Sequence, residues 1–188
     1  ADFTGKEIGI LQSLREVPGF LAFTAVWVLL FIREQRFALV SLLTLAVGVL
    51  LTGYFPSVLG LYVTTVIMSI GFHYFETIHQ SLILQWVDKK ETAHFMGKSL
   101  AVRAAASILV FGSMWLMLEY WQVPYLVIYT LFGGLGIAII LAAWMTFPQF
   151  PTKVEQHKHL VLRKSYWLFY LLTFLSGARR QIFVVFAG

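Results

Sequence analysis

The 188-residue sequence contains no cysteine and few charged residues. Without cysteine the chain has no disulfide bonds, no thiolate metal sites and no cysteine nucleophile. Charged residues account for 12% of the chain and apolar residues for 59%, and the mean hydropathy is +0.79. That leaves too little polar surface to coat a soluble globule. The composition therefore indicates a membrane protein whose main partner is the lipid bilayer.

The sequence also lacks the motifs of common enzymes and of nucleic-acid-binding proteins. Phosphate-cradling glycine loops, zinc-protease helices, serine-hydrolase elbows and paired catalytic carboxylates are all missing. The net charge is +5, yet the lysines and arginines lie between apolar runs rather than on one polar face. We therefore expect no enzymatic activity, no cofactor and no nucleic-acid partner.

Six apolar runs approach the length that a helix needs to cross a bilayer, which is about 20 residues for a hydrocarbon core of about 30 Å. In order along the chain they cover residues 17–32, 37–55, 56–87, 99–118, 123–147 and 166–188. Helical turns from Ile8, carrying an interfacial ion pair of Arg15 and Glu16, are expected to precede the first run. The sequence thus predicts an all-α, polytopic transmembrane bundle with six spans.

The basic residues in the connectors predict the orientation of the spans. Nine of the 14 basic residues follow the first, third and fifth runs: Arg33, Arg36, Lys89, Lys90, Lys98, Lys153, Lys158, Arg163 and Lys164. The connectors after the second and fourth runs have none. Because basic residues near span ends stay on the cytoplasmic side, we expect the odd-numbered loops in the cytoplasm, in a bacterial inner membrane. Both chain ends then face outside, and at least one span is expected before this chain.

Several short patterns follow one another along the chain. The stretch Ile32-Arg33-Glu34-Gln35-Arg36 shares two arginines with the pattern Asp, Arg, any residue, Gly, Arg, but Ile32 and Gln35 replace its Asp and Gly. Further features are Pro56, Ser57 and Gly71, the basic stretch 88–98, the group Trp121, Gln122 and Tyr125, and the basic segment 149–165. In order and spacing these features resemble helices two to seven of the major facilitator superfamily of secondary transporters.

The resemblance implies a division of the chain. Residues 1–147 would be the remainder of the N-terminal six-helix half without its first helix, 148–165 the cytoplasmic central linker, and 166–188 the first helix of the C-terminal half. An ordinary solvated loop is the alternative for the basic segment. The resemblance also implies transport of a small solute by alternating access, with proton coupling as one option.

Two other functions remain open. The first is a structural or assembly subunit of a larger membrane complex, for example in pigment delivery, that keeps the scaffold without transporting anything. The loss of Asp and Gly at Ile32 and Gln35 fits this alternative, because the family uses that loop, here with Arg33 and Arg36, in switching conformation. The second is a complete six-span channel.

Glu76 is the most informative charge inside an apolar run. It lies about 18 Å along a helix from Asp88, within the membrane. His73, Glu76 and Gln80 share one helical stripe with His79 at its edge. The pattern favours two roles for Glu76 equally: titration of a proton or contact with a solute, and a plain hydrogen bond between helices. The spacing of Glu76 and His79 also occurs in carboxylate metal sites, but no second such pair is present, so we expect no metal.

Three arginines are further candidates for substrate or proton coupling. Arg103 lies about one turn into the fourth run, where snorkelling of its side chain to the headgroups is favoured over a binding role. Arg179 and Arg180 form a basic pair deep in the last run, and one of them is predicted to pair with an acid or to bind an anionic solute. The alternative is that Gly177 breaks the helix there.

Glycines in the fourth and fifth runs predict close approach of helices, since a residue without a side chain lets two backbones meet. They are Gly97, Gly112, Gly133, Gly134 and Gly136. Most are expected to be packing residues.

Overall fold

The computed structural model describes residues 4–150, 163–172 and 175, and within them the chain is all-helical. Six α-helices have both ends in this part: α1 (Gly5–Phe20), α2 (Ala25–Val28), α3 (Glu34–Tyr54), α4 (Val58–Trp86), α5 (Thr92–Glu119) and α6 (Tyr125–Thr146). Two 3-10 segments are present in this part. Leu21–Thr24 lies between α1 and α2, and Lys164–Tyr166 follows residues 151–162, which the structure does not describe. Residues 167–172 are also helical.

Four of these helices, α3 to α6, are long and apolar enough to cross a membrane. They coincide with the second to fifth apolar runs, so those four predicted spans are confirmed as membrane-length helices. The largest difference is at α5, which begins at Thr92 rather than at residue 99. Hydropathy locates only the apolar part of a helix, whereas its hydrogen bonds continue through polar turns such as those with His94 and Lys98.

The first predicted span is not a single uninterrupted helix. The helical turns before it are confirmed, because α1 starts at Gly5, where Glu7 accepts a 2.7 Å hydrogen bond from the Thr4 amide. However, the helix narrows to a 3-10 segment after Phe20 and resumes only briefly in α2. Pro18 lies just before this change and lacks the N–H that would bond to the preceding turn. The last predicted span lies mostly outside the described residues.

α3 is the central helix, with α4 on one side and α6 on the other, and α1 packs against α4. Gly71 lets α4 approach α3 so closely that an added Cβ would lie 2.5 Å from the Leu45 amide nitrogen. At Gly133 an added Cβ would lie 2.6 Å from the Leu50 amide nitrogen, which brings α6 equally close to α3. These contacts hold four helices together in the order α6, α3, α4, α1.

The glycine prediction is therefore right for Gly133 and Gly136 of α6, but wrong within the described part of the chain for the third glycine of α6 and for both glycines of α5. Gly136 faces the Cβ of Ala46 on α3, and Gly133 packs as described. By contrast, an added Cβ at Gly97, Gly112 or Gly134 would meet nothing within 4 Å in the described part of the chain. α5 has no buried residue at all. Small residues permit close packing, but they do not supply a neighbouring helix.

Candidate functional site

The candidate site lies where α4 and α5 face each other, and it is built from one charged residue on each helix. Glu76 lies ten residues before Trp86, the last residue of α4, or about 15 Å along the helix. Arg103 lies eleven residues after Thr92, the first residue of α5, or about 16 Å along it. The short connector 87–91 joins the two helices. The two charges therefore lie at nearly the same depth.

The two side chains form an ion pair. Arg103 Nη1 donates a hydrogen bond to Glu76 Oε2 at 3.2 Å. The Arg103 side chain is 57% exposed and that of Glu76 33% exposed. Within the described residues this is the one ion pair that joins two helices, since the pair Arg15–Glu16 lies within α1. The structure thus gives Arg103 a partner that the sequence had not indicated.

The ion pair is not enclosed by protein. Every residue of α5 is at least partly exposed, and the Arg103–Glu76 hydrogen bond is the one side-chain bond between α4 and α5 among the described residues. A charged pair that faced only hydrocarbon would be unfavourable by a few kcal/mol. This face of α4 and α5 is therefore suited to contact water, a solute or another protein.

The other members of the predicted stripe point elsewhere. The His73 ring packs against Gly19 of α1, where an added Cβ would lie 2.8 Å from its Cε1 atom. The His79 ring stacks on Phe75, with 5.3 Å between the ring centres. Gln80 is exposed. No hydrogen bond between Glu76 and either imidazole occurs in the described part of the chain. A proton therefore has no direct path between Glu76 and these histidines there.

The remaining predicted site residues contribute no ion pair. Arg33 and Arg36 are exposed at the start of α3, with no acidic partner among the described residues. Arg179 and Arg180 lie outside the described residues. Residues 4–150, 163–172 and 175 contain no group of three or more acidic, histidine or cysteine side chains suited to a metal ion.

The sequence analysis missed a buried carboxylate at the start of α3. Glu34 is only 7% exposed, although it belongs to the loop pattern that first drew attention to its arginine neighbours. Its carboxylate accepts hydrogen bonds from Ser81 Oγ at 3.2 Å and from the Gln85 amide. An acid in the first turn of a helix is favoured by the helix dipole, and that was the available signal. Its partners lie 47 and 51 residues further along the chain, so no local pattern indicated them.

Gln35, beside Glu34, ties the chain after α6 to this end of the bundle. Its Nε2 donates to the Pro148 carbonyl at 2.8 Å, and its Oε1 accepts from the Phe150 amide at 3.1 Å. The Phe150 ring also packs on Trp86, with 4.7 Å between ring centres. The glutamine that replaces glycine in the loop pattern thus anchors the first residues of the predicted linker.

A small cleft lies among these residues, lined by Glu34, Gln35, Gln85, Trp86 and Phe150 with three neighbours. The volume that the centre of a water molecule can occupy in this cleft is about 20 Å³, which is enough for one water molecule. The buried Oε1 of Gln85 has no hydrogen-bond partner, so a water molecule fits there. This cleft stabilises the helix ends and is too small for a solute.

No protein-family model, no curated protein and no solved structure matches this chain.

Proposed function

We propose that this protein is a secondary transporter that moves a small solute across the membrane by alternating access. The observation that carries the proposal is the exposed Glu76–Arg103 ion pair between two membrane-length helices. A charged side chain at the middle of a membrane helix is unfavourable by about 2.5–3.5 kcal/mol. Such a residue needs a compensating partner and commonly serves an ion or solute pathway.

The surroundings of the pair favour a functional role over a structural one. A pair that stabilised the bundle would be expected at a packed interface, such as the α3–α4 contact at Gly71. This pair instead joins α4 to α5, which buries none of its residues. The two charges can therefore separate with little loss of packing. Breaking and reforming such a bond is the kind of two-state change that alternating access requires.

The sequence resemblance to the major facilitator superfamily supports the same proposal. Within it, α3 to α6 would be four of the family's helices, Gln35 would hold the start of the central linker 148–165, and residues 166–188 would begin the second half. The connectors with lysine and arginine would lie in the cytoplasm of a bacterial cell. Proton coupling through Glu76 remains one option within this proposal.

A non-transporting subunit of a larger membrane complex is the second candidate. The observation that favours it is the exposed apolar surface of α5. Three of its apolar side chains are more than two-thirds exposed, namely Ile108, Leu109 and Phe111. A neighbouring protein could cover them as well as lipid does. In that case the full-length protein should purify at a fixed stoichiometry with partner proteins.

The test is a transport measurement on the full-length protein in proteoliposomes. Radiolabelled solutes from four classes, namely amino acids, carboxylates, amines and sugars, are added in turn while their uptake into the liposomes is counted. We expect the uptake of at least one class to exceed that of empty liposomes. Glu76→Gln and Arg103→Gln should each reduce it at least tenfold, which corresponds to about 1.4 kcal/mol.

Two control variants on α5 remove a charge without touching the pair. Glu119→Gln and Lys98→Gln alter exposed residues that form no ion pair in the described part of the chain, so both should leave the uptake unchanged. Uptake that persists in both Glu76→Gln and Arg103→Gln would show that the pair is not part of the transport path. Absence of uptake for all four classes, together with co-purifying partners, would favour the second candidate.

A further inference from the structure

We propose that the Glu76–Arg103 pair selects a zwitterionic solute, one that carries an ammonium and a carboxylate on the same carbon, such as an amino acid. The inference rests on the proposed transport function and adds the chemical class of the solute. Its basis is that the opposite charges of Arg103 and Glu76 lie 3.2 Å apart, while the Arg103 side chain is 57% exposed and that of Glu76 is 33% exposed.

Both partners keep unused hydrogen-bonding capacity. A guanidinium has five N–H donors, and only one nitrogen of Arg103 contacts Glu76. The second carboxylate oxygen of Glu76 accepts no hydrogen bond from the described residues. A solute carboxylate could therefore engage Arg103 through two parallel bonds, which is the strongest geometry for this pair of groups. A solute ammonium could engage Glu76 at the same time.

The charge balance explains why a zwitterion is selected. A solute with a carboxylate alone would displace Glu76 from Arg103 and leave that glutamate unpaired. A solute with an amine alone would leave Arg103 unpaired instead. An uncompensated charge within the membrane span is unfavourable, so the site penalises both kinds of solute. A zwitterion replaces the ion pair with two new ones and leaves no charge alone.

The spacing and the neighbours of the pair agree with an amino acid that has an apolar side chain. The nitrogen and a carboxylate oxygen of an α-amino acid are about 3 Å apart, which matches neighbouring rather than distant charges. Phe72 lies one turn before Glu76 and Leu100 one turn before Arg103, and both are exposed apolar side chains. Because the two helices run in opposite directions, these side chains lie on opposite sides of the pair along the helix axes, and an apolar group of the solute would contact one of them.

The test uses three probes with one hydrocarbon skeleton. Leucine carries both charges, 4-methylpentanoate lacks the ammonium, and 3-methylbutylamine lacks the carboxylate. Binding of each to the full-length protein in detergent is measured by calorimetry and by the shift in unfolding temperature. We expect leucine to bind at least tenfold more tightly than either singly charged probe. Equal binding of the three probes, or no binding of leucine, would overturn the inference.

Neutralising one member of the pair should change the preferred probe. In Glu76→Gln the amine partner is lost, so 4-methylpentanoate should gain at least tenfold relative to leucine. In Arg103→Gln the same gain should occur for 3-methylbutylamine. Lys98→Gln should keep the original preference. A uniform loss for all three probes in both variants would mean that the pair only packs the helices, and the inference would fail.

A charge-swapped variant covers the case in which single neutral variants do not fold. Glu76→Arg combined with Arg103→Glu keeps one charge of each sign at the site and should still prefer leucine. A swapped protein that folds but binds the singly charged probes equally well would contradict the inference. Failure of the proposed function looks different, since then no solute class is taken up by the proteoliposomes. Uptake of sugars or carboxylates alone would keep transport and reject the zwitterion.

Discussion

At the scale of single residues, Glu34 and Glu76 show how one residue type takes two roles in the same bundle. Glu34 is 7% exposed and accepts hydrogen bonds from two neutral side chains. Glu76 is one-third exposed and pairs with a cation. A buried carboxylate held by neutral donors is suited to holding a helix end in place. An exposed carboxylate in an ion pair can exchange its partner for a solute.

Removing the Glu34 carboxylate should destabilise the protein. Glu34→Ala removes the acceptor of Ser81 Oγ and of one N–H of the Gln85 amide, which keeps only its 3.2 Å bond to Ser81 Oγ, and a buried donor without a partner is unfavourable by about 1–3 kcal/mol. Glu34→Gln retains one oxygen acceptor and should have a smaller effect. The measurement is the unfolding temperature of each variant in detergent. Glu91→Ala, at an exposed site with no side-chain capping bond, is the control and should change little.

If Glu34→Ala and Glu91→Ala unfolded at the same temperature, the buried network would contribute nothing to stability. Its residues would then lie close together without holding the ends of α3 and α4.

At the scale of the helices, packing is decided by where two backbones meet. Lipid surrounds the apolar faces equally well, so membrane helices associate through close contact and hydrogen bonds rather than through exclusion of water. Gly71 and Gly133 provide that contact on opposite sides of α3. α5 is also apolar and has two glycines, Gly97 and Gly112, yet no helix in the described part of the chain lies against either of them.

A methyl group should therefore have opposite effects on α4 and α5. In Gly71→Ala the added carbon would lie 2.5 Å from backbone atoms of Leu45 and Ser41, so α3 and α4 must separate, at about 1–3 kcal/mol. In Gly112→Ala nothing lies within 4 Å, and alanine favours the helix by up to about 1 kcal/mol. Unfolding temperatures in detergent compare the two. A neutral Gly71→Ala would show that α3 and α4 are not packed through this residue.

At the scale of the whole molecule, four helices pack in the order α6, α3, α4, α1, and α5 is attached to this group chiefly through α4. The proposed orientation puts the α4–α5 connector in the cytoplasm and the α5–α6 connector outside, because only the first contains lysine. This arrangement would make α5 a complete crossing of the membrane, with Arg103 about 16 Å along the helix from its cytoplasmic end.

Labelling of single introduced cysteines tests this orientation, since these 188 residues contain no cysteine that would interfere. A membrane-impermeant maleimide should label Tyr120→Cys in intact cells and Lys89→Cys only in inside-out vesicles. Ile78→Cys, at a buried position, should be labelled in neither. Reversed labelling would overturn the orientation, and labelling of both connectors from the same side would show that α5 does not cross the membrane.

The extent of each helix was predictable wherever hydropathy and helix length coincide. α3, α4 and α6 match their apolar runs within a few residues, because a helix in lipid must satisfy its backbone internally over the whole apolar length. The first run failed this test at Pro18, since its composition is apolar throughout but its backbone lacks one donor. An apolar composition indicates that a segment is suited to lipid. It does not show that the helical hydrogen bonds of the segment are uninterrupted.

By itself the amino-acid order determined that this chain is helical, that four of its helices are long and apolar enough to cross a membrane, and that charges within them, such as Glu76 and Arg103, need compensation there. Local composition and helix period are enough for those conclusions. Only the tertiary structure decided that these two residues compensate each other, that His73 turns toward α1 instead, and that Gln35 reaches the backbone at Pro148. Such contacts join residues on different helices, and their existence depends on the rotation and spacing of whole helices, which no local pattern encodes.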